Sequence, residues 1–185
     1  MMAVHARELV QWNRKKNLTA ILEPDEIAVK HFIDSLYPAC WIPDNAAVID
    51  IGTGGGFPGI PLKIVNPSLS LTLVDASRKK INFVKHVIRT LALENIQAIH
   101  TRIEDLAEEP DYRHSFDIAI SRAFTELKRF CSLASPLLRP NGKLIAMKGR
   151  NVQSELDTIS ASHPQAVVKN YVLPFQEADR CLIIL

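Results

Sequence analysis

Five of the chain's seven glycines fall between Gly52 and Gly59, at the end of the short apolar run Ala47 to Ile51, which carries one acid, Asp50. Glycines at the end of a strand supply turns with φ > 0 and remove the Cβ atoms that would hold a ligand away from the backbone. A tight strand-to-helix turn needs only one or two of them, so the cluster points to a nucleotide-like cofactor, with Gly52 and Gly54 at the point of closest approach. Gly54-Gly55-Gly56-Phe57-Pro58-Gly59 satisfies the GxGxxG spacing of dinucleotide binders. Phe57 and Pro58, however, put bulk and a missing N–H where a pyrophosphate seeks backbone donors. Asp50 would repel a phosphate. It suits S-adenosylmethionine, which carries an ammonium, a sulfonium and one carboxylate but no phosphate.

Further acids stand at the ends of later strand-like runs. Asp75 closes LSLTLVDA (69 to 76), where a carboxylate can accept both hydroxyls of a ribose. Arg102-Ile103-Glu104-Asp105 follows IQAIHT (96 to 101), placing an apolar residue to cover an adenine and an acid to accept its amino group. The same acids would also suit a helix start. Ile120-Ser121-Arg122-Ala123-Phe124 occupies the position where acceptor chemistry is presented. It contains neither the Asn-Pro-Pro-aromatic sequence that handles an exocyclic amine nor a Pro-Cys nucleophile. The acceptor is therefore expected to need no activation. N7 of guanine fits, because its in-plane lone pair requires no general base and in-line placement supplies most of the rate. Arg122 would then act by charge or hydrogen bonding, on the cofactor carboxylate or on guanine O6 and its neighbouring phosphates.

These residues need a parallel sheet to bring them to one rim. AVIDIG (47 to 52), LSLTLVDA, IQAIHT, FDIAISRA (116 to 123) and KLIAMK (143 to 148) are nearly continuous in apolar residues, as strands buried on both faces are. Between the second and third, Ile81, Val84, Ile88 and Leu91 share one helical face, with Ser77 placed as N-cap. A helix from about Glu126 to Leu138 is expected to stop at Arg139-Pro140-Asn141-Gly142. AVVKNYVLPF and RCLIIL are only four residues apart, which suits an antiparallel hairpin. The resulting expectation is an α/β, Rossmann-like class I fold with a seven-stranded, mostly parallel sheet ending in an antiparallel hairpin. Residues 1–185 would form a single domain, with 1–45 a helical cap packed on it.

Bulk properties narrow the classes. An apolar share of 47% with 23% charged residues is ordinary for a globular chain of 185 residues. No apolar run approaches the roughly 18 residues of a membrane span, and Glu8 interrupts the N-terminal stretch, so a cytoplasmic protein with no membrane partner is expected. Cys40, Cys131 and Cys181 have no metal-ligand spacing, and neither do the histidines, so no metal is expected. The net charge of +2 leaves room for a local basic face. Candidates for contact with RNA are Arg14-Lys15-Lys16, Arg78-Lys79-Lys80 and Lys148 with Arg150, with Lys148 foremost because it ends the fifth strand. His31 and Asp34 stand one turn apart in the cap and pair near the site, or His31 is simply half-buried.

WNRKKNLTAI, HFIDSL, DIGTGGGFPGIPLKI, LVDASRKKINFV, ISRAF and AMKG, in that order, resemble the bacterial 16S ribosomal RNA guanine-N7 methyltransferase family, also called glucose-inhibited division protein B. The resemblance implies methylation of a small-subunit guanine at N7, with S-adenosylmethionine held at Gly52, Phe57, Ile103, Glu104 and Arg122; a monomer is expected. Only eleven residues precede Trp12, fewer than is usual in that family. A small-molecule methyltransferase, a non-catalytic S-adenosylmethionine sensor and an NAD-dependent oxidoreductase remain as alternatives on the residues alone.

Overall fold

The computed structural model describes residues 1–150, 152–175 and 178–185. Helix α1 (Met2–Lys16) is followed by a continuous helical run: α2 (Pro24–Glu26), a π-helical stretch (Ile27–Ile33), α3 (Asp34–Leu36) and a 3-10 stretch (Tyr37–Trp41). Together they form the cap. The sheet contains β1 (Ala47–Ile51), β2 (Ser70–Asp75), β3 (Ile96–His100), β4 (Phe116–Arg122), β5 (Leu138–Gly149), β6 (Val167–Leu173) and β7 (Ala178–Ile184). Its order is β3-β2-β1-β4-β5-β7-β6. Only β7 is reversed, running antiparallel to both β5 and β6. The winding changes direction between β1 and β4, and the carboxyl end of β1 opens into the crevice where ligands bind in such sheets.

Apolar strands are buried on both faces because side chains alternate. Val48, Leu71, Leu73, Ile118, Ile120, Ile145 and Leu182 join one core cluster with Leu9 of α1 and Phe83. Their sequence neighbours Ile49, Val74, Ala119, Leu144, Ala146 and Ile183 join the other, with Phe130. Helices α4 (Gly59–Val65), α5 (Arg78–Thr90), α6 (Ile103–Glu108), α7 (Leu127–Ala134) and α8 (Gln153–Asp157) complete the layers.

Two local expectations are corrected. The helix expected to reach Leu138 ends at Ala134 and tightens into a 3-10 turn at Ser135–Leu137. Pro136 has no N–H to donate back into the helix. Leu138 then begins β5, so the Arg139–Gly142 turn signal lies inside a twelve-residue strand, close to a register shift against β4. Ser77 does hold the N-cap position of α5, but its side chain makes no capping bond. Its own N–H donates instead to Asp75 Oδ1 at 2.8 Å.

Candidate active site

The loop after β1 is anchored from below and from the side. Asp50 is fully buried; its Oδ2 accepts Thr53 Oγ1–H at 2.6 Å and the Gly59 N–H at 2.9 Å, while Oδ1 has no partner among the described residues. Burial pushes its pKa up to about 6, against the pull of Thr53 and Gly59. Asp50 therefore organises the loop from beneath. Expected from sequence among the cofactor-binding residues, Asp50 spends Oδ2 on the loop's own donors. A Cβ on Gly59 would stand 2.3 Å from Leu73 Cδ2, so glycine allows α4 to close on β2. Gly52 has φ +73°, and a Cβ there would come within 2.6 Å of Phe124 Cδ2.

Asp75 anchors the other side. Its Oδ2 accepts the Gly54 N–H at 3.0 Å, and Lys80 Nζ is 3.8 Å away. An ionised carboxylate offers about four acceptor positions, so the bonds from Gly54 and Ser77 leave capacity for two hydroxyls. A cavity of about 360 Å³ opens here, lined by Gly52, Asp75, Ile103, Glu104 and Phe124 among others. Glu104 is paired with Arg129 at 3.1 Å; its own backbone N–H, then Arg129, hold its carboxyl below the usual range.

A second cavity of about 440 Å³ adjoins the first, and Gly52, Lys80 and Ala123 line both. Phe57 forms one wall, stacked between His5 and His31 with centroids 4.7 Å away on each side. Gly55 O can only accept, so His5 Nε2 donates to it, at 2.8 Å. Arg122 Nη2 can only donate, so His31 Nδ1 accepts, at 3.2 Å, and its Nε2–H faces Thr19 Oγ1 at 3.0 Å. Both imidazoles are neutral. Burial lowers the pKa of His5 to about 4, and burial with Arg122 and His5 lowers that of His31 to about 3.

Arg122 donates through Nη1 to Lys30 O at 2.8 Å and to Asp34 Oδ2 at 3.4 Å, with Cζ 5.2 Å over the Phe57 ring. Burial lowers its pKa, and Asp34 opposes that. Asp34 also accepts the Tyr171 O–H at 2.7 Å, which ties β6 to the cap. His31 and Asp34 thus converge on Arg122 rather than on each other. Sequence reasoning missed His5, Tyr171 and Arg180, which lie in segments far from the glycine loop; Lys80 was expected only as part of a basic cluster, and the one local signal for Arg180 was a cation heading the apolar run CLIIL.

The cation expected to be most available is not free. Lys148 lines the second cavity, but its Nζ donates to Thr125 O at 2.6 Å and to Glu155 Oε2 at 2.8 Å, and its side chain is 13% exposed. Glu155 also accepts the Leu127 N–H at the start of α7. Arg150 is exposed and pairs with Asp179 at 3.1 Å. The exposed Arg14, Lys15 and Lys16 end α1, Arg78 and Lys79 begin α5, and the two groups meet around Trp12, which packs on Phe83 and His86. None of these five cations forms an ion pair among the described residues. A larger apolar hollow of about 740 Å³ between α1 and Pro24–Ile33 contains no glycine-loop residue and no carboxylate. Among the described residues no group of three His, Cys, Asp or Glu could hold a metal, and no helix is long and apolar enough to cross a membrane.

A glycine loop at the β1 crevice, an acid ending β2, Ile103 and Glu104 after β3 and a single reversed β7 define a Rossmann-like, S-adenosylmethionine-dependent methyltransferase. Solved structures share this fold: a SAM dependent methyltransferase from Aquifex aeolicus (TM-score 0.64, 13% identity, 94% of this chain and 96% of that chain) and a Corynebacterium glutamicum protein (TM-score 0.66, 20% identity, 98% and 88%). At such identity they speak to the fold alone. The chain belongs to the GidB family, rRNA small subunit methyltransferase G, whose model matches residues 1–183. It is 43% identical over 187 residues to the Ribosomal RNA small subunit methyltransferase G of Geobacter sp. strain M21, covering 97% of this chain and 84% of the relative. The protein of that name from Desulforamulus reducens is 40% identical over 184 residues, covering 96% and 77%.

Proposed function

We infer that the protein transfers the methyl group of S-adenosylmethionine to N7 of a guanine in the 16S rRNA of the small ribosomal subunit. The observation that carries this reading is the pair of adjoining cavities at Gly52, one with acceptors for an adenosine and one lined by cations and the neutral His31 imidazole. The names of the relatives, small-subunit rRNA methyltransferases, agree with it.

The residues present fit the cofactor: Gly52, where a Cβ would collide with Phe124, lets the backbone line both cavities, and Asp75 keeps acceptor capacity for a ribose diol. Asp75 would hold the ribose, Ile103 cover the adenine and Glu104 accept its amino group. Gly52 and Gly54 admit the ligand to the backbone. Phe57, held between its two histidines, forms the wall between cofactor and acceptor. Bound there, the cofactor would supply an electrophilic methyl group. A ring-nitrogen acceptor with a free lone pair would ask the site's residues for placement and not for removal of a proton. The site needs no base on this account, and His31 Nδ1 is already committed to Arg122. Arg122 positions the reacting groups by charge and hydrogen bonding. Arg14, Lys15 and Arg78 would hold RNA phosphates on the face around Trp12, while Lys148 serves first as a clasp between β5 and α7. The protein would act as one domain, as a monomer, in the cytoplasm.

The test is incubation with methyl-labelled S-adenosylmethionine and small subunits from cells lacking the enzyme, followed by mapping of the label. Label at N7 of one guanine in 16S rRNA is the expected result. Label only in small molecules, or none despite cofactor binding, would replace this reading with a small-molecule enzyme or a sensor.

A further inference from the structure

We propose that Arg180 is the cation that receives an RNA phosphate inside the acceptor cavity, the role that the sequence pattern suggested for Lys148. The proposal rests on the rRNA reading above. β7 pairs antiparallel with β5, with Arg180 opposite Gly149 and Cys181 opposite Lys148. The first turn of the reversed strand therefore lies level with the carboxyl end of β5, and Arg180 lines the same cavity as Arg122 and Lys148.

The cations around the cavity are unevenly engaged. Among the described residues five line it: Lys30, Lys80, Arg122, Lys148 and Arg180. Lys30 pairs with Glu26, Lys80 with Asp75, Lys148 with Glu155 and Arg122 with Asp34. Among the described residues Arg180 faces no acid that it does not share. Its Nε stands 3.9 Å from Asp34 Oδ1, beyond hydrogen-bond reach, and that oxygen already accepts the Tyr171 O–H. Nη1 donates to the neighbouring Asp179 O at 3.1 Å; Nε and Nη2 have no hydrogen-bond partner among the described residues. A guanidinium with two uncommitted donors, held at the rim of this cavity, matches the fork of a phosphate.

The chemistry of the acceptor excludes the other usual partner of arginine. A fork on guanine O6 and N7 would place a donor on the lone pair that must take the methyl group. A backbone phosphate next to the target base carries no such conflict. The cofactor carboxylate is the rival anion, and it is distinguished by which ligand loses affinity.

The experiment compares wild type, Arg180→Ala and Arg180→Lys as full-length proteins, using unmodified small subunits for methyl transfer and S-adenosylhomocysteine for calorimetry. In Arg180→Ala the half-saturating subunit concentration should rise on the order of tenfold, as for loss of a charged hydrogen bond. The slope of log affinity against log salt should fall by about 0.7 to 0.9, the share of one phosphate. S-adenosylhomocysteine affinity should change less than about twofold. Arg180→Lys should restore the salt slope and only part of the affinity, and it carries the test if the alanine variant does not fold. An unchanged salt slope in a folded Arg180→Ala protein, or a loss of S-adenosylhomocysteine affinity instead, would overturn the proposal. A wild-type protein that labels no subunits would remove the rRNA reading and this proposal together, whereas normal labelling with an indifferent Arg180 removes only the latter.

Discussion

The two cavities that adjoin at Gly52 are built from different kinds of sequence information. The smaller draws mainly on three neighbouring strand ends, β1, β2 and β3, with Phe124 added from beyond β4; Asp75 ends β2, and Glu104 lies in the first turn of α6 after β3. The larger draws on the cap, the glycine loop, β4, β5 and the reversed β7, so Arg122 meets partners 88 to 92 residues away. The first is a local device repeated along the sheet. The second is a tertiary assembly, in which a neutral histidine and a shared carboxylate fix one guanidinium. The physical lesson is that a cofactor half-site can be specified by loops on a parallel sheet, while an acceptor half-site that positions without proton transfer must hold its cations rigidly, which takes contacts from distant elements.

The sharpest way to break this contrast is to remove the centre of the assembled half. Arg122→Ala leaves Asp34, with a side chain only 4% exposed, without its guanidinium. Loss of one partner of a buried pair should cost about 3 kcal/mol in urea unfolding. Single-turnover methyl transfer with both substrates saturating should fall at least about tenfold, or about 1.4 kcal/mol. Arg122→Lys, which keeps the charge and loses the fork, should fold better and recover little of the rate. A wild-type rate in Arg122→Ala would reduce the residue to a structural tie.

The local half should fail differently. Asp75→Ala should weaken S-adenosylhomocysteine binding by roughly ten- to a hundredfold, about 1.5 to 3 kcal/mol, with subunit affinity nearly intact. Asp75→Asn, which can still accept, should lose less. Equal calorimetric affinity in wild type and Asp75→Ala would show that this acid holds the loop through Gly54 and Ser77 and nothing more.

The smallest of these effects is graded with acid, and it separates the stacked wall from the rest of the fold. His5 and His31 have folded-state pKa values below the ordinary 6.5, at about 4 and about 3, so between those values and 6.5 the unfolded chain binds more protons. Their contribution is present above pH 6.5 and is lost as pH falls toward the folded values, at about 1.4 kcal/mol per pH unit for each histidine. Asp50, raised from 3.8 to about 6, acts in the opposite sense, its proton stabilising the fold below about pH 6. His5→Phe keeps a ring against Phe57 and should flatten the slope of stability against pH between 4 and 6.5 by one histidine's share. An unaltered slope would mean that His5 is protonated as readily in the folded protein as in the unfolded chain.

The sheet was legible because β1, β2, β4 and β7 are apolar on both faces, and a run such as Val48-Ile49-Asp50-Ile51 before a glycine cluster has few other readings. The terminal hairpin was legible from the shortness of its connection. The end of α7 was missed because Pro136 was outweighed by the stronger turn signal at Arg139–Gly142, which β5 absorbs next to its register shift with β4. Lys148 looked free because its partner, Glu155, reaches it from a five-residue helix that carries no periodic signal of its own. Asp50 was read as facing a ligand because its position beside the glycines is evident in the chain, whereas its burial under Thr53 and Gly59 is a property of the folded loop. The convergence of Arg14 and Arg78 clusters on Trp12 is likewise invisible until α1 packs on α5.

On the proposed mechanism the acceptor cavity positions a ring nitrogen and moves no proton. The most direct test is the pH dependence of single-turnover methyl transfer between about pH 6.5 and 8.5, with cofactor and small subunits both saturating. N7 of guanine is unprotonated across this range and no group in the proposed step titrates, so the rate should be flat to within about twofold. A rate that climbs tenfold per pH unit to a plateau would show that a proton must leave the acceptor or a base must be freed, and it would contradict methyl transfer to N7 by positioning alone.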